Sequence, residues 1–215
     1  MPLAPSNHKM GSDYRVMFIG DSLMVGITSS SGRGGRNATI KNIQDQLGSA
    51  ARAVEVGNDN NRMCGTSGLQ IDAITIAPYI AIQVKQYKPD LIIIHIGTND
   101  CTSLSTTGLP TLNTSMSNLT VLLNTIRTDA PGCKVLIAKI IDNNTAHAEV
   151  VNFNAELESL VEARSDYLAG TLDHVDLYTD VGLYSPTYWQ DNTHLNPQGF
   201  ALWSTSWNNK INTFL

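Results

Sequence analysis

Three short polar clusters in this 215-residue chain hold residue types capable of nucleophilic chemistry. The first, Gly20-Asp21-Ser22-Leu23, follows Val16-Met17-Phe18-Ile19, a short apolar run that reads as a buried strand. A serine at the exit of such a strand can point its Oγ out of the sheet, next to a helix N-terminus that favours negative charge. Its hydroxyl is a poor nucleophile without a general base. The second cluster, Asp191-Asn192-Thr193-His194, contains one. Across three positions in a turn the Asp191 carboxylate can accept from His194 Nδ1–H, which fixes the tautomer and leaves Nε2 as the base. The third, Gly97-Thr98-Asn99-Asp100, offers an Asn amide with two donor protons. Aimed at a carbonyl oxygen that becomes an oxyanion, one such donor is worth about 2.7–4 kcal/mol. Each cluster also has a plainer reading: Ser22 as a helix cap, Asn99 as a turn residue, His194 as a chance histidine.

The other histidines fit the role of base less well. His95 lies inside the strongest strand pattern and reads as a core residue. His174, near Asp173 and Asp176, opens a short strand and so falls at the wrong end of a sheet. His147 lies near a helix start, and His8 lies in an N-terminal tail.

The three clusters need a scaffold that brings them together, and the hydrophobic pattern supplies one. Apolar runs at 16–19, 53–56, 91–96, 134–141 and 174–177 read as strands. The run Leu91-Ile92-Ile93-Ile94-His95-Ile96 is continuous rather than alternating, as a parallel strand covered on both faces should be. Apolar residues at 3- and 4-residue spacing predict helices over 39–47, 69–88, 112–128 and 146–164, with Pro78 interrupting the second or beginning its latter half. Asn196-Pro197 is an N-cap followed by proline at the first helical position, and opens a last helix to about residue 211. Strands alternating with helices imply an α/β fold: a three-layer α/β/α sandwich around a five-stranded parallel sheet. Residues 1–14 are expected to be an N-terminal tail and 15–215 a single domain. In such sheets the functional loops lie beyond the carboxyl ends of the strands, where all three clusters fall.

Composition narrows the setting. Net charge is −5 and no basic run is present, which disfavours nucleic acid as a partner. No stretch approaches the roughly 18 apolar residues of a membrane span. Only 15% of residues are charged, against about 25% typically; Asn, Ser and Thr cover the surface instead. Sequons begin at Asn37, Asn113, Asn118 and Asn143. Both features point to a secreted protein, with a signal segment outside this sequence. The cysteines Cys64, Cys101 and Cys133 match no zinc-site spacing and cannot all pair within one chain. They read as three buried small apolar residues, or as one disulfide with a thiol left over.

In order and strand position the clusters resemble the blocks of the SGNH hydrolases, the GDSL esterase and lipase family. Block one is Gly20-Asp21-Ser22-Leu23, block three Gly97-Thr98-Asn99-Asp100 and block five Asp191-x-x-His194. The block-two glycine is matched best by Gly65 in Cys64-Gly65-Thr66-Ser67-Gly68, with Gly68 second. Local detail is similar to carbohydrate esterase family 3, whose members deacetylate xylan: Cys101 follows the third block, and the second reads Gly65-x-x-Gly68-x-x-Ile71-Asp72. Such enzymes often carry an acidic residue and an aromatic around the block-two glycine; here Cys64 precedes Gly65 and Leu69 follows Gly68.

The resemblance implies the flavodoxin-like SGNH fold and a serine esterase for short acyl, especially acetyl, esters of a carbohydrate such as xylan. It implies Ser22, Asp191 and His194 as the catalytic residues, and Ser22, Gly65 and Asn99 as the oxyanion hole. It implies no metal and no cofactor, an acetylated carbohydrate or small ester as the only partner, no membrane, and a monomer. It also implies that Cys64 and Cys101 lie close enough to form the disulfide. Tyr184, Tyr188 and Trp189 precede Asp191, and Tyr188 and Trp189 could stack on a sugar ring or pack under the loop. Other readings are an inactive carbohydrate-binding module on the same fold, an esterase or lipase for non-carbohydrate esters, and a metallophosphoesterase, whose several metal ligands the sequence lacks.

Overall fold

The computed structural model describes residues 12–29, 32–57, 62–72, 76–142, 145–182 and 185–215. The chain runs β1 (Ser12–Gly20), α1 (Ser22–Val25), α2 (Arg36–Leu47), β2 (Ala51–Val56), β3 (Cys64–Gly65), α3 (Ile76–Tyr87), β4 (Leu91–His95) and α4 (Thr98–Thr107). It continues through α5 (Leu112–Asp129), β5 (Lys134–Lys139), α6 (His147–Glu162), α7 (Ser165–Leu168), β6 (Leu172–Asp176), α8 (Leu177–Val181) and α9 (Pro197–Phe214). The sheet order is β2-β1-β4-β5-β6, with every pairing parallel. The two-residue β3 adds a sixth strand by pairing with the end of β1, Ile19 with Cys64 and Gly20 with Gly65.

Alternation along the strands divides the core into two. Met17, Ile19, Ile92, Ile94, Val135 and Ile137 face one side, under Ile80 and Val84 of α3, Leu119, Leu122 and Ile126 of α5, and Phe153 and Leu157 of α6. Val16, Phe18, Leu91, Ile93, Leu136 and Ala138 face the other, under Ile43 of α2, Leu177 of α8, and Phe200, Trp203, Trp207 and Ile211 of α9. Burial on both faces is why the strands read as unbroken apolar runs. The α9 stripe recurs every three or four residues, and the helix opens on Asn196, whose side chain accepts from Gly199 N–H at 3.0 Å. These two buried tryptophans anchor it; truncating such a residue typically costs about 3–5 kcal/mol.

Several elements depart from the sequence expectation. β1 reaches back to Ser12, ahead of the domain start expected at residue 15, because Tyr14 is buried and pairs with Ala53. Of the helix expected over 69–88, the described part is α3, Ile76–Tyr87, and residues 69–72 are not helical. Residues 69–72 are tied to side chains of α4 and α5, Ile71 N–H donating to Asp100 Oδ2 at 3.0 Å and the Asn118 amide to Ile71 O at 2.7 Å, and Pro78 lies within α3. α4 has no counterpart among the expected helices, and it takes up Thr98, Asn99 and Asp100 of the loop expected over 97–100. Its run of Thr and Ser has poor helix propensity, but the hydroxyls of Thr102, Thr106 and Thr107 bond back to carbonyls one turn earlier. His174 is the third residue of β6 rather than its opening one; it stacks on Tyr167 and faces Glu158 and Glu162.

The reading of three buried cysteines holds, and the Cys64–Cys101 disulfide implied by the resemblance is corrected. Cys64, Cys101 and Cys133 are all buried thiols, and no bridge joins Cys64 to Cys101. Both side chains are spent on the apolar core. Burial pushes the Cys101 thiol well above its ordinary range and Cys133 up to about 12, so both stay protonated and unreactive. Among the sequons, Asn37 and Asn113 are exposed, whereas the Asn118 amide donates to Ile71 O at 2.7 Å. Asn143, Asn144 and Tyr184 lie outside the described residues. Among the described residues no helix is long and apolar enough to cross a membrane.

Candidate active site

β1 ends at Gly20 and the chain turns at once into α1, with Asp21 as its N-cap: Oδ1 of Asp21 accepts from Leu23 N–H at 3.0 Å. Ser22 is therefore the first residue of a one-turn helix at the carboxyl end of the sheet, and is 5% exposed. Its Oγ lies 2.9 Å from Nε2 of His194, 172 residues away in sequence.

His194 sits on the segment between α8 and α9. Asp191 organises this turn by accepting from Thr193 N–H at 2.8 Å and from His194 N–H at 2.7 Å, both on Oδ1. Its Oδ2 faces Nδ1 of His194 at 2.9 Å. The carboxylate can only accept, so Nδ1 carries the proton and Nε2 presents its lone pair to the Ser22 hydroxyl. Partial burial raises the Asp191 pKa, but the imidazole contact and the two backbone donors outweigh it and hold the carboxyl below its ordinary value. Around the turn, Gln190 N–H donates to His194 O at 2.8 Å, and Asn196 N–H donates to Tyr188 O at 2.9 Å. Trp189 bridges to Leu195 and is 4% exposed inside the core. The expectation that Trp189 stacks on substrate is thereby corrected: the indole packs beneath the loop. Tyr188 is only half-buried, against the same core.

Asn99 is the second residue of α4, just past β4. The helix starts abruptly because Gly97 takes φ +125°, and a Cβ there would stand 2.4 Å from the Phe153 ring. One proton of the Asn99 amide goes to Leu69 O at 2.9 Å, which orients the group and leaves the other available. The neighbouring segment is stitched to α4 twice more. Gln70 Nε2 donates to Asn99 O at 3.2 Å and to Ser103 Oγ at 2.8 Å. Asp100, 2% exposed, accepts from Ile71 N–H at 3.0 Å and from Ser115 Oγ–H at 3.0 Å. Burial still keeps the Asp100 pKa above its ordinary value.

Gly65 lies in register with Gly20, two residues before Ser22. A Cβ at Gly65 would stand 1.8 Å from Gly20 O, so only glycine allows β3 to lie this close to the turn that carries Ser22. Gly68 has open space around it. Beneath Ser22 lies a polar layer that sequence reasoning took separately. Asp21, His95 and Thr98 are 0%, 0% and 2% exposed. Oδ2 of Asp21, both ring nitrogens of His95 and Oγ1 of Thr98 make no hydrogen bond of ordinary geometry, and His95 Nδ1 stands 4.0 Å from Asp21 Oδ1. Burial pushes the Asp21 carboxyl up to about 7; Leu23 N–H and the nearby Thr98 hydroxyl hold it back, Asp100 adds to the rise and His194 opposes it. Burial pulls His95 down to about 4. The pair was visible in sequence only as a residue beside a serine and a polar interruption in an apolar strand.

The model of the GDSL-like lipase/acylhydrolase family matches residues 18–202, from the end of β1 into α9. The chain belongs to this family. No curated protein matches it. Among solved structures, this GDSL-like hydrolase is similar to a carbohydrate esterase family 3 protein from Talaromyces cellulolyticus, with TM-score 0.73, 23% identity, and coverage of 93% of this chain and 96% of that one. It is similar to a family 3 carbohydrate esterase from Clostridium thermocellum, with TM-score 0.72, 21% identity and coverage of 94% and 97%. It is also similar to an acetylxylan esterase from Geobacillus stearothermophilus, with TM-score 0.69, 16% identity and coverage of 94% and 96%. These likenesses establish the shared three-layer fold.

Proposed function

We propose that this GDSL-like hydrolase is a serine esterase that removes acetyl groups from a carbohydrate such as xylan. The observation that carries the reading is the chain of contacts from Ser22 Oγ to His194 Nε2 at 2.9 Å and from His194 Nδ1 to Asp191 Oδ2 at 2.9 Å. In this reading Ser22 Oγ attacks the ester carbonyl while His194 Nε2 takes its proton. Asp191 stabilises the imidazolium. The backbone N–H groups of Ser22 and Gly65 and the remaining amide proton of Asn99 receive the oxyanion. His194 then protonates the leaving alcohol, and the same nitrogen activates water to release the acyl group from Ser22. Every proton that leaves a nucleophile returns through one imidazole.

The acetyl and carbohydrate preference rests on the activities of the structural relatives, on the local likeness of the second and third blocks, and on the polar, weakly charged surface. Among the described residues of the His194 loop, Tyr188 is the half-buried aromatic that could meet a sugar. The same reading has the protein secreted and acting as a monomer.

Hydrolysis of p-nitrophenyl acetate and butyrate, followed by acetate release from acetylated xylan, tests this. Wild type should prefer acetate, and Ser22→Ala should lose at least about a thousandfold in kcat. Equal rates in Ser22→Ala would remove the nucleophile. Activity on p-nitrophenyl acetate without acetate release from xylan would keep the esterase and remove the polysaccharide.

A further inference from the structure

We propose that Thr28 is a positioning residue for His194, its hydroxyl tying the turn that leaves the nucleophile helix to the segment that carries the base. This rests on the acyl-transfer reading above.

The Ser22–His194 contact joins elements with no covalent proximity, so something must fix the distance between them. On the Ser22 side, α1 ends at Gly26, and the N–H groups of Gly26 and Ile27 both donate to Ser22 O, at 3.0 and 3.1 Å. Thr28 follows directly with φ +72°. A β-branched residue rarely adopts that left-handed conformation, and strain of this kind is kept where the surrounding structure uses it. Here it turns Oγ1 across to Leu195 O, at 2.5 Å, 167 residues away. Leu195 is fully buried and adjoins His194. One continuous path of bonds thus runs from the Ser22 carbonyl through Ile27 and the Thr28 hydroxyl to the residue after the base. In the same conformation the hydroxyl also lies 2.5 Å from its neighbour Ile27 O, so its single proton has two carbonyls to choose between, and the proposed role places it on Leu195 O.

Three variants separate hydroxyl from backbone. Thr28→Gly removes the hydroxyl and relaxes the turn, because glycine adopts this conformation freely. Thr28→Ala removes the hydroxyl and keeps a Cβ in the same strained place. Thr28→Ser keeps the hydroxyl. With p-nitrophenyl acetate, kcat should fall about tenfold in both the glycine and alanine variants with KM nearly unchanged, a part of the roughly hundredfold that a 1 Å misplacement can cost. The serine variant should stay within about twofold to threefold of wild type. Melting followed by circular dichroism should place glycine at or above alanine, so that activity follows the hydroxyl and stability the backbone. A glycine variant with wild-type kcat, a serine variant as slow as alanine, or losses in kcat that simply track melting temperature would overturn the inference. His194→Ala is the control on the underlying reading: if it stays active the acyl-transfer mechanism falls, whereas an inactive His194→Ala beside a fully active Thr28→Gly removes only the role of Thr28.

Discussion

The buried pair Asp21 and His95, beside Ser22, makes the pH dependence of stability separable by mutation. Folding raises the Asp21 carboxyl from its ordinary value near 4 to about 7. Between those values the folded chain keeps a proton that the unfolded chain has lost, so this stabilisation is whole below pH 4 and drains away as pH rises to 7. His95 does the opposite. Its folded value of about 4 lies under an unfolded 6.5, so between them the unfolded chain gains a proton the fold refuses, and stability drains as pH falls. Each slope is at most about 1.4 kcal/mol per pH unit. From pH 4 to 6.5 they oppose and nearly cancel in wild type. Asp21→Asn, which keeps an acceptor for Leu23 N–H, leaves the His95 slope alone. Relative to wild type it should gain stability as pH rises across that window, by up to about 3 kcal/mol. His95→Gln should lose a similar amount over the same rise. Urea unfolding at half-unit steps from pH 4.5 to 7.5, analysed as the difference from wild type, reads both. Parallel curves for wild type and both variants would refute the reasoning, because they would mean that neither group changes its proton affinity on folding.

Other outcomes follow from single features of the site. The Asp191 side chain is 51% exposed, so its attraction for the imidazolium 2.9 Å away is screened by water and worth roughly 1–3 kcal/mol rather than the buried-triad value. Asp191→Ala should therefore cost about 10- to 100-fold in kcat, and less than His194→Ala; an equal loss would contradict the ranking. Gly65→Ala must push β3 off Gly20, and should lose activity by more than about a hundredfold together with several degrees of melting temperature. Gly68→Ala meets no neighbouring atom within 4 Å, so its effect should be confined to the strain of its positive φ. Thiol titration of the denatured, unreduced protein should count three thiols; a count of one would restore the bridge.

The parts of this fold legible in the sequence were those whose burial is two-sided or periodic. The run at 91–96 and the stripes of α5, α6 and α9 announce themselves because apolar spacing is set by the layer they touch. The Asp191–His194 turn was legible for a different reason: both partners lie within one turn and the chemistry needs only that proximity. What stayed hidden depends on contacts distant in sequence. β3 is two residues long and exists because Gly20 and Gly65 allow two backbones to meet. α4 opposes its own propensity and is held by side-chain bonds and by the Gly97 start. Leu69 as the acceptor that orients Asn99, and Asp21 with His95 as one buried layer, depend on which loops adjoin, which spacing does not encode. Cys64 and Cys101 illustrate the limit of proximity arguments, since neighbouring blocks need not turn their sulfur atoms toward each other. Trp189 shows the same for aromatics, because a loop over a core must fill the space below it.

The 172 residues between Ser22 and His194 also order events in time. At about 5–20 residues per second, a ribosome that has made the nucleophile needs roughly 10–35 s to reach the base. During that interval Ser22 has neither its contact with His194 nor a Leu195 carbonyl for Thr28 to reach. In the proposed mechanism Ser22 stays inactive until every strand of the sheet has been synthesised. A fragment ending before His194 should then be silent, and hydrolysis regained during refolding should report the arrival of the His194 segment at Ser22 rather than the formation of the sheet.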